Sequence, residues 1–272
     1  MKNKHLFTTG NSTRKYYKSM NNTYQQVYGK HLMLHYPFYR EEGEGLEKRQ
    51  NNLTDFCLSK LEMHPGQTFL EVGCGNGVQS VYIFERINPD KMIGIDLNPD
   101  NIALALKNKN GQPNLDFRVD DAQQLVSIPD QSVDVLLCIE SAFHYPDKDL
   151  FLNQVKRVLK PGGQFVIADI TNKKHWRPYL STRWKNNMSY HHWTEKKYRD
   201  AFQEKGLRIQ TVENITETVK KGYKGSKNWV IRENCPTYVS YLMFRIFVFI
   251  QVQINLLLLR QRENYILFAG KN

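Results

Sequence analysis

LEVGCGNGVQ, residues 70–79, places Gly73, Gly75 and Gly77 within five positions, directly behind a short apolar run. Glycine loses more backbone freedom on folding than any other residue, so three in one turn mark a backbone that side chains would obstruct. The run Thr68–Val72 reads as a strand, and Val78–Arg86 opens a helix. A glycine turn between strand and helix lets a ligand approach the backbone and points helix-terminal N–H groups at it. Such glycines also permit tight strand–helix packing, and the stretch alone leaves both readings open. The spacing is GxGxG with Val78 at the sixth position, not the dinucleotide pattern GxGxxG. Glu71, two residues before Gly73, would repel a pyrophosphate and suits a cationic ligand.

Outward from the glycines, strand-like and helix-like segments alternate as far as Ile170, the pattern of a parallel sheet built from βαβ crossovers. Met92–Asp96 reads as a strand closed by the turn Asn98-Pro99-Asp100, and Ile102–Asn108 as a helix. Leu115–Val119 and Val133–Ile139 follow as strands, the latter apolar enough to be buried on both faces. Leu150, Leu152, Val155 and Leu159 mark a helix that Lys160-Pro161-Gly162-Gly163 ends, and Gln164–Ile170 is the next strand. Farther on, Thr194 reads as an N-cap, Gly206 as a helix end, and Leu207–Ile215 and Asn264–Gly270 as strands. Tyr241–Leu259 is the most apolar stretch. Arg245, Gln251, Gln253 and Asn255 interrupt it, which argues against a membrane span and for a buried or lid helix, with surface membrane contact as the alternative.

Composition agrees with a folded soluble protein: 40% hydrophobic and 24% charged in 272 residues. Length allows one large α/β domain with a small addition. Four scattered cysteines without a CxxC pair argue against metal or disulfide frameworks and for reduced thiols in a cytoplasmic protein. His191–His192 lacks spaced carboxylate or cysteine partners, so no metal is expected. The net charge of +11 is uneven: residues 1–60 carry +5, residues 61–170 carry −6, and residues 171–272 carry +12. Basic flanks around an acidic middle point to an anionic ligand or to a solvated surface.

Asp96 ends the second strand, where a carboxylate accepts from a ribose diol or caps a turn. Asp120-Asp121-Ala122 follows the third strand, and Cys138-Ile139-Glu140-Ser141 ends the fourth. All share the carboxyl edge at which open α/β sheets bind ligands.

LEVGCGNG, GIDLNP, VDDAQQL, VDVLLCIESAFHYPD and RVLKPGGQFVIAD, in this order, resemble the successive motifs of class I S-adenosylmethionine-dependent methyltransferases. The similarity is greatest to the small-molecule O-, N- and C-methyltransferases of the tocopherol and sterol type. It implies an α/β, Rossmann-like, doubly wound seven-stranded sheet with its last strand antiparallel, plus a helical cap. Residues 1–60 would form an N-terminal helical cover and residues 61–272 the methyltransferase domain, with cap insertions at about 172–193 and 217–262. The implied cofactor is S-adenosyl-L-methionine. Gly73, Cys74 and Gly75 would line its methionine part, Asp96 its ribose, Leu97 its adenine face. Asp121 would meet the adenine amino group with Ala122 beside it, and the Glu140 backbone would face the cofactor's amino group. LHYPFY, residues 34–39, is similar to a segment that closes over the cofactor, with Pro37 where the family prefers glycine.

His144 would stand above the sulfonium as a general base or as a packing group, since an imidazole titrates near neutrality. The implied acceptor is a small apolar, aromatic or isoprenoid molecule. Trp176, Tyr179, Trp184, Tyr190 and Trp193 would line its pocket or pack the cap. Lys173, Lys174, Arg177, Arg183 and Lys185 would favour an anionic group on it. A nucleic-acid methyltransferase is an alternative for a basic chain, but IESAFHYP stands where base-amino enzymes carry Asn/Asp-Pro-Pro-Tyr/Phe, so no nucleic acid is expected. A non-catalytic S-adenosylmethionine-binding module is the other alternative. No integral membrane association is expected, and the sequence does not set the oligomeric state.

Overall fold

The computed structural model describes residues 33, 35–173, 190–226, 229, 230 and 234–272. Seven strands form one sheet in the order β3-β2-β1-β4-β5-β7-β6. β1 (Thr68–Val72), β2 (Lys91–Asp96), β3 (Leu115–Val119), β4 (Val133–Ile139) and β5 (Leu159–Asn172) are parallel neighbours. β7 (Glu263–Lys271) runs antiparallel to both β5 and β6 (Arg208–Asn214). The order reverses between β1 and β4, and such a switch point opens a crevice at the carboxyl ends of the strands.

Helices α1 (Leu46–Leu58), α2 (Val78–Ile87), α3 (Pro99–Asn108), α4 (Lys148–Val158) and α5 (Glu195–Glu204) connect or cover the strands. Their ends obey local chemistry. Asn98 accepts from the Asp100 N–H ahead of Pro99, Asp147 accepts from the Leu150 N–H, and Thr194 accepts from the Lys197 N–H. Each satisfies a donor that a first helical turn leaves unpaired. α4 stops at Val158, and Leu159 already pairs with Val133 before residues 160–163 bulge out and Gln164 resumes pairing with Val135. The strand therefore starts earlier than Gln164, with the Lys-Pro-Gly-Gly turn inside it.

The apolar interior lies on both faces of the sheet. Phe69, Ile83, Val135 and Leu267 centre one cluster, which Leu53, Cys57 and Leu58 of α1 join. Leu70, Leu136, Phe151, Tyr198 and Phe202 centre the other. Trp193 belongs to the second cluster, with the Lys197 ammonium 4.0 Å from its ring centre, so it packs the core and does not line a pocket. Trp176, Tyr179 and Trp184 lie outside the described residues, as do Lys174, Arg177, Arg183 and Lys185. Lys173 is described, and its Nζ donates to the carbonyls of Leu259 and Arg260, so it caps a helix instead of facing an acceptor.

α6 (Thr216–Gly222) and α7 (Tyr238–Gln261) precede β7. The apolar stretch thus forms one helix of 24 residues. It is long and apolar enough by length and composition to cross a membrane, yet Val248, Val252 and Leu259 are buried against the domain. Most of its other apolar side chains are exposed, which removes the buried half of the buried-or-lid expectation. Two of the interrupting polar residues turn inward: Asn255 donates to the Tyr223 hydroxyl at 3.0 Å, and Gln251 donates to Asn255 at 3.3 Å.

Candidate functional site

The carboxyl ends of β1, β2 and β4 surround a cavity with about 1140 Å³ of empty space, part of it open to solvent. Gly73, Cys74, Gly75, Asp96, Leu97, Asp121, Ala122, Glu140 and His144 all line it. The tertiary fold therefore brings these nine residues together on one cavity.

The glycine turn has two kinds of reason behind it. At Gly73, φ is +79° and an added Cβ would lie 1.9 Å from Ser141 Oγ. At Gly77, φ is +76° and a Cβ would lie 2.6 Å from Ala105 Cβ. Those two positions are closed by the protein itself, through the turn after β4 and through α3. Gly75 instead lines the cavity, and its N–H donates to Asp96 Oδ2 at 3.1 Å. Glu71 is not a cavity residue. Its carboxyl is buried and accepts from Ser80 Oγ at 2.5 Å, which ties β1 to α2. Burial, with Asp96 nearby, pushes its pKa up to about 8, so it is neutral at pH 7 and cannot serve as an anion for a cationic ligand.

The Asp96 carboxylate is oriented before any ligand arrives. Oδ1 accepts from the Asn98 N–H at 2.8 Å and from Asn101 Nδ2 at 3.2 Å, while Oδ2 takes the Gly75 N–H. Leu97 beside it is 37% exposed, an apolar surface on the rim. Asp120 and Asp121 divide the work after β3. Asp120 is buried and accepts from the Val126 and Ser127 N–H groups and from Ser127 Oγ, so it holds the turn. Asp121 Oδ1 accepts from the Gln123 N–H at 2.9 Å, which leaves Oδ2 for a ligand.

Glu140 follows β4 at φ +50°, a left-handed backbone unusual for a residue with a side chain. Its Oε1 accepts from the Tyr36 N–H at 2.5 Å, and burial pushes its pKa up to about 8. The side chain thus anchors the N-terminal strap in addition to lining the cavity. Gln50 of α1 grips the same strap through the Met33 N–H and the His35 carbonyl.

That strap carries a residue the motif reading had placed only within a covering segment. His35 is buried, lines the cavity, and is held neutral by burial, its pKa lowered to about 4. Its Nδ1 lies 3.2 Å from the Tyr36 carbonyl, which requires the proton on Nδ1 and leaves Nε2 an acceptor. Among the described residues Nε2 finds no partner, and neither does Asn98 Nδ2 on the same cavity. A buried polar atom without a partner costs stability, so two on one cavity wall point to a ligand that completes them.

His144 ends a single 3-10 turn, Ala142–His144, with its ring 4.2 Å from Phe143 and 5.5 Å from Tyr190 between centres. The turn is fixed from behind by Asp169, whose carboxylate accepts from the Phe143 N–H at 3.0 Å and from the Tyr198 hydroxyl at 2.7 Å. Buried Lys148 donates to the Tyr145 and His191 carbonyls and is the favourable charge beside Asp169. Asp169 lies within the last motif, but nothing in sequence spacing shows that it reaches a turn 26 residues earlier. Tyr145 exchanges a 2.7 Å hydrogen bond with Ser141, and burial pushes its phenol well up, so it serves as a wall. Burial likewise raises the Cys74 thiol, which removes it as a nucleophile.

A family model described as a methyltransferase domain matches residues 63–219. This chain belongs to that family. Fatty-acid O-methyltransferase of Mycolicibacterium smegmatis is 41% identical over 104 residues, 38% of this chain and 37% of that protein. 27-O-demethylrifamycin SV methyltransferase of Amycolatopsis mediterranei is 30% identical over 165 residues, 59% of each. The matched stretch therefore spans less than two thirds of either relative. Among solved structures, the cyclopropane synthase MmaA2 from Mycobacterium tuberculosis shares the fold with a TM-score of 0.74 over 97% of this chain and 98% of that one, at 14% identity.

Proposed function

We propose that this methyltransferase-family chain binds S-adenosyl-L-methionine in the carboxyl-edge cavity and methylates a small apolar acceptor that carries an anionic group. The observation that carries the reading is the convergence of nine motif residues, from four separate segments, on one cavity. The cavity also fits the cofactor chemically. Asp96 offers two pre-oriented carboxylate oxygens to the ribose hydroxyls, with Leu97 covering the adenine ring. Asp121 Oδ2 accepts from the adenine amino group, and Ala122 packs beside it. Gly73, Cys74, Gly75 and the Glu140 backbone line the methionine end. His35 Nε2 offers an acceptor, and Asn98 Nδ2 a donor, to polar groups that the described residues do not supply.

When bound, the cofactor supplies a methyl group on a sulfonium, already an excellent leaving group. The protein's share of the reaction is then positioning, exclusion of water and removal of a proton from an O–H or N–H acceptor. His144 takes that proton on its imidazole. Phe143 and Tyr190 pack against the imidazole. The apolar acceptor is supported by the fatty-acid and rifamycin relatives, and its anionic group by the +12 charge of residues 171–272.

Calorimetry with S-adenosylhomocysteine tests the cofactor site. Wild type should bind it and not NAD, and Asp96→Ala should weaken binding about 10–100-fold, the loss of charged hydrogen bonds worth roughly 1–3 kcal/mol. Unchanged affinity in a variant that remains folded would remove Asp96 from the site. A screen for S-adenosylhomocysteine release across fatty acids, phenols, sterols and prenyl diphosphates tests the acceptor. Turnover confined to neutral acceptors would refute the anionic group.

A further inference from the structure

α7 presents an apolar stripe to solvent. Val239, Met243, Ile246, Ile250, Ile254 and Leu257 recur at spacings of three and four, which places them on one face of the helix. Val239, Met243, Ile246, Ile250 and Leu257 are each more than half exposed. Val248, Val252 and Leu259 occupy the opposite face and are buried in the core cluster. Among the described residues nothing covers the stripe. Water contact along five turns of aliphatic surface is costly, and soluble monomers seldom leave so large a patch without an occupant.

Two features select the occupant. Residues 238–262 carry Arg245, Arg260 and Arg262 and not one aspartate or glutamate. The helix is also packed on the domain along its other face, by core contacts and by the Asn255–Tyr223 hydrogen bond, so in the fold it presents one side outward. A helix with one face fixed, an aliphatic outer face and only cationic charges matches the boundary between acyl chains and anionic headgroups. We infer that α7 is a membrane-docking surface: its outer stripe inserts shallowly into an anionic phospholipid bilayer while the arginines meet phosphate groups. Tyr223, bonded to α7, packs edge-on against Tyr36 of the strap at 5.7 Å, and the Tyr36 N–H donates to the cavity residue Glu140.

The test is flotation of the full chain with vesicles, which reads binding without turnover and so fails or succeeds separately from the methyl-transfer reading. Wild type should float with vesicles of equimolar phosphatidylcholine and phosphatidylglycerol, more weakly with phosphatidylcholine alone, and less at high salt. The triple variant Met243→Ser/Ile246→Ser/Ile250→Ser alters only exposed positions and should keep its unfolding temperature. Its partition coefficient should fall at least about tenfold, since each buried methylene contributes to insertion. Arg245→Gln with Arg260→Gln should cost about fivefold per arginine on anionic vesicles, the equivalent of about 1 kcal/mol each, and little on neutral ones. Absence of flotation by wild type, or equal flotation of the triple variant, overturns the inference. A stable wild-type dimer that the triple variant converts to monomer would assign the stripe to a second copy and overturn it as well.

Discussion

Replacing Gly73 by alanine separates the two reasons a glycine can be required. Gly66 provides the reference: its φ is +80°, and an added Cβ meets nothing within 4 Å. Gly66→Ala should therefore show only the left-handed backbone cost, about 1–2 kcal/mol. At Gly73 the φ of +79° is nearly the same, but the Cβ would stand 1.9 Å from Ser141 Oγ, 2.4 Å from Ser141 Cβ and 3.3 Å from the Tyr145 hydroxyl. Overpacking of this kind adds roughly 1–3 kcal/mol. The variant should then lose about 2–5 kcal/mol in all. A chain of this size should lose roughly 2–4 °C of Tm per kcal/mol.

Ser141→Gly supplies the second arm. Alone it should cost about 1 kcal/mol for the lost hydrogen bond to Tyr145. Combined with Gly73→Ala it removes the obstructing atoms, so the double variant should be more stable than the sum of the singles by about 1–3 kcal/mol. Urea unfolding of the four proteins measures this coupling directly. If Gly73→Ala costs no more than Gly66→Ala, or if Ser141→Gly rescues nothing, the contact between the glycine turn and the β4 turn does not explain the glycine.

Glu71→Gln should change the pH dependence of stability. The folded-state pKa of about 8 lies above the usual 4.5, so the folded chain holds a proton that the unfolded chain has released. This carboxyl therefore takes away up to about 1.4 kcal/mol per pH unit between pH 4.5 and about 8. The glutamine variant keeps the acceptor for Ser80 and should show a flatter profile there; an identical slope would place the titration elsewhere. His35→Phe should weaken S-adenosylhomocysteine binding about 5–30-fold, roughly 1–2 kcal/mol, without lowering Tm, because it also removes an unpartnered buried nitrogen; unchanged affinity would make His35 a packing residue. His144→Gln should lower kcat about 10²–10⁴-fold on protonated acceptors with cofactor affinity retained, and full activity in that variant would leave no base role for it. Asp169→Ala leaves the Phe143 N–H and the Tyr198 hydroxyl without an acceptor and should cost about 2–5 kcal/mol in urea unfolding, whereas a loss below about 1 kcal/mol would mean that the turn is held by other contacts.

Local chemistry made much of this protein legible in one dimension. The apolar runs, the Thr194 cap and the glycine turns act over a few residues, and the strands and helices they imply are observed, with β5 starting earlier than Gln164. The cavity residues were legible as well, because each motif sits at a strand's carboxyl end and a parallel sheet gathers those ends on one edge. Contacts between distant segments decided the rest. Gly73 answers to Ser141, Glu71 turns away from the cavity to Ser80, and Asp169 holds the turn that carries His144. His35 reaches the cavity because Gln50 and Glu140 grip its strap. The apolar run of α7 read as a buried or lid helix and not as one or the other, because composition records how greasy a segment is and not which face meets the core. Only the packing of Val248, Val252 and Leu259 against the domain fixes the helix's rotation, and with it the row of aliphatic side chains left facing outward.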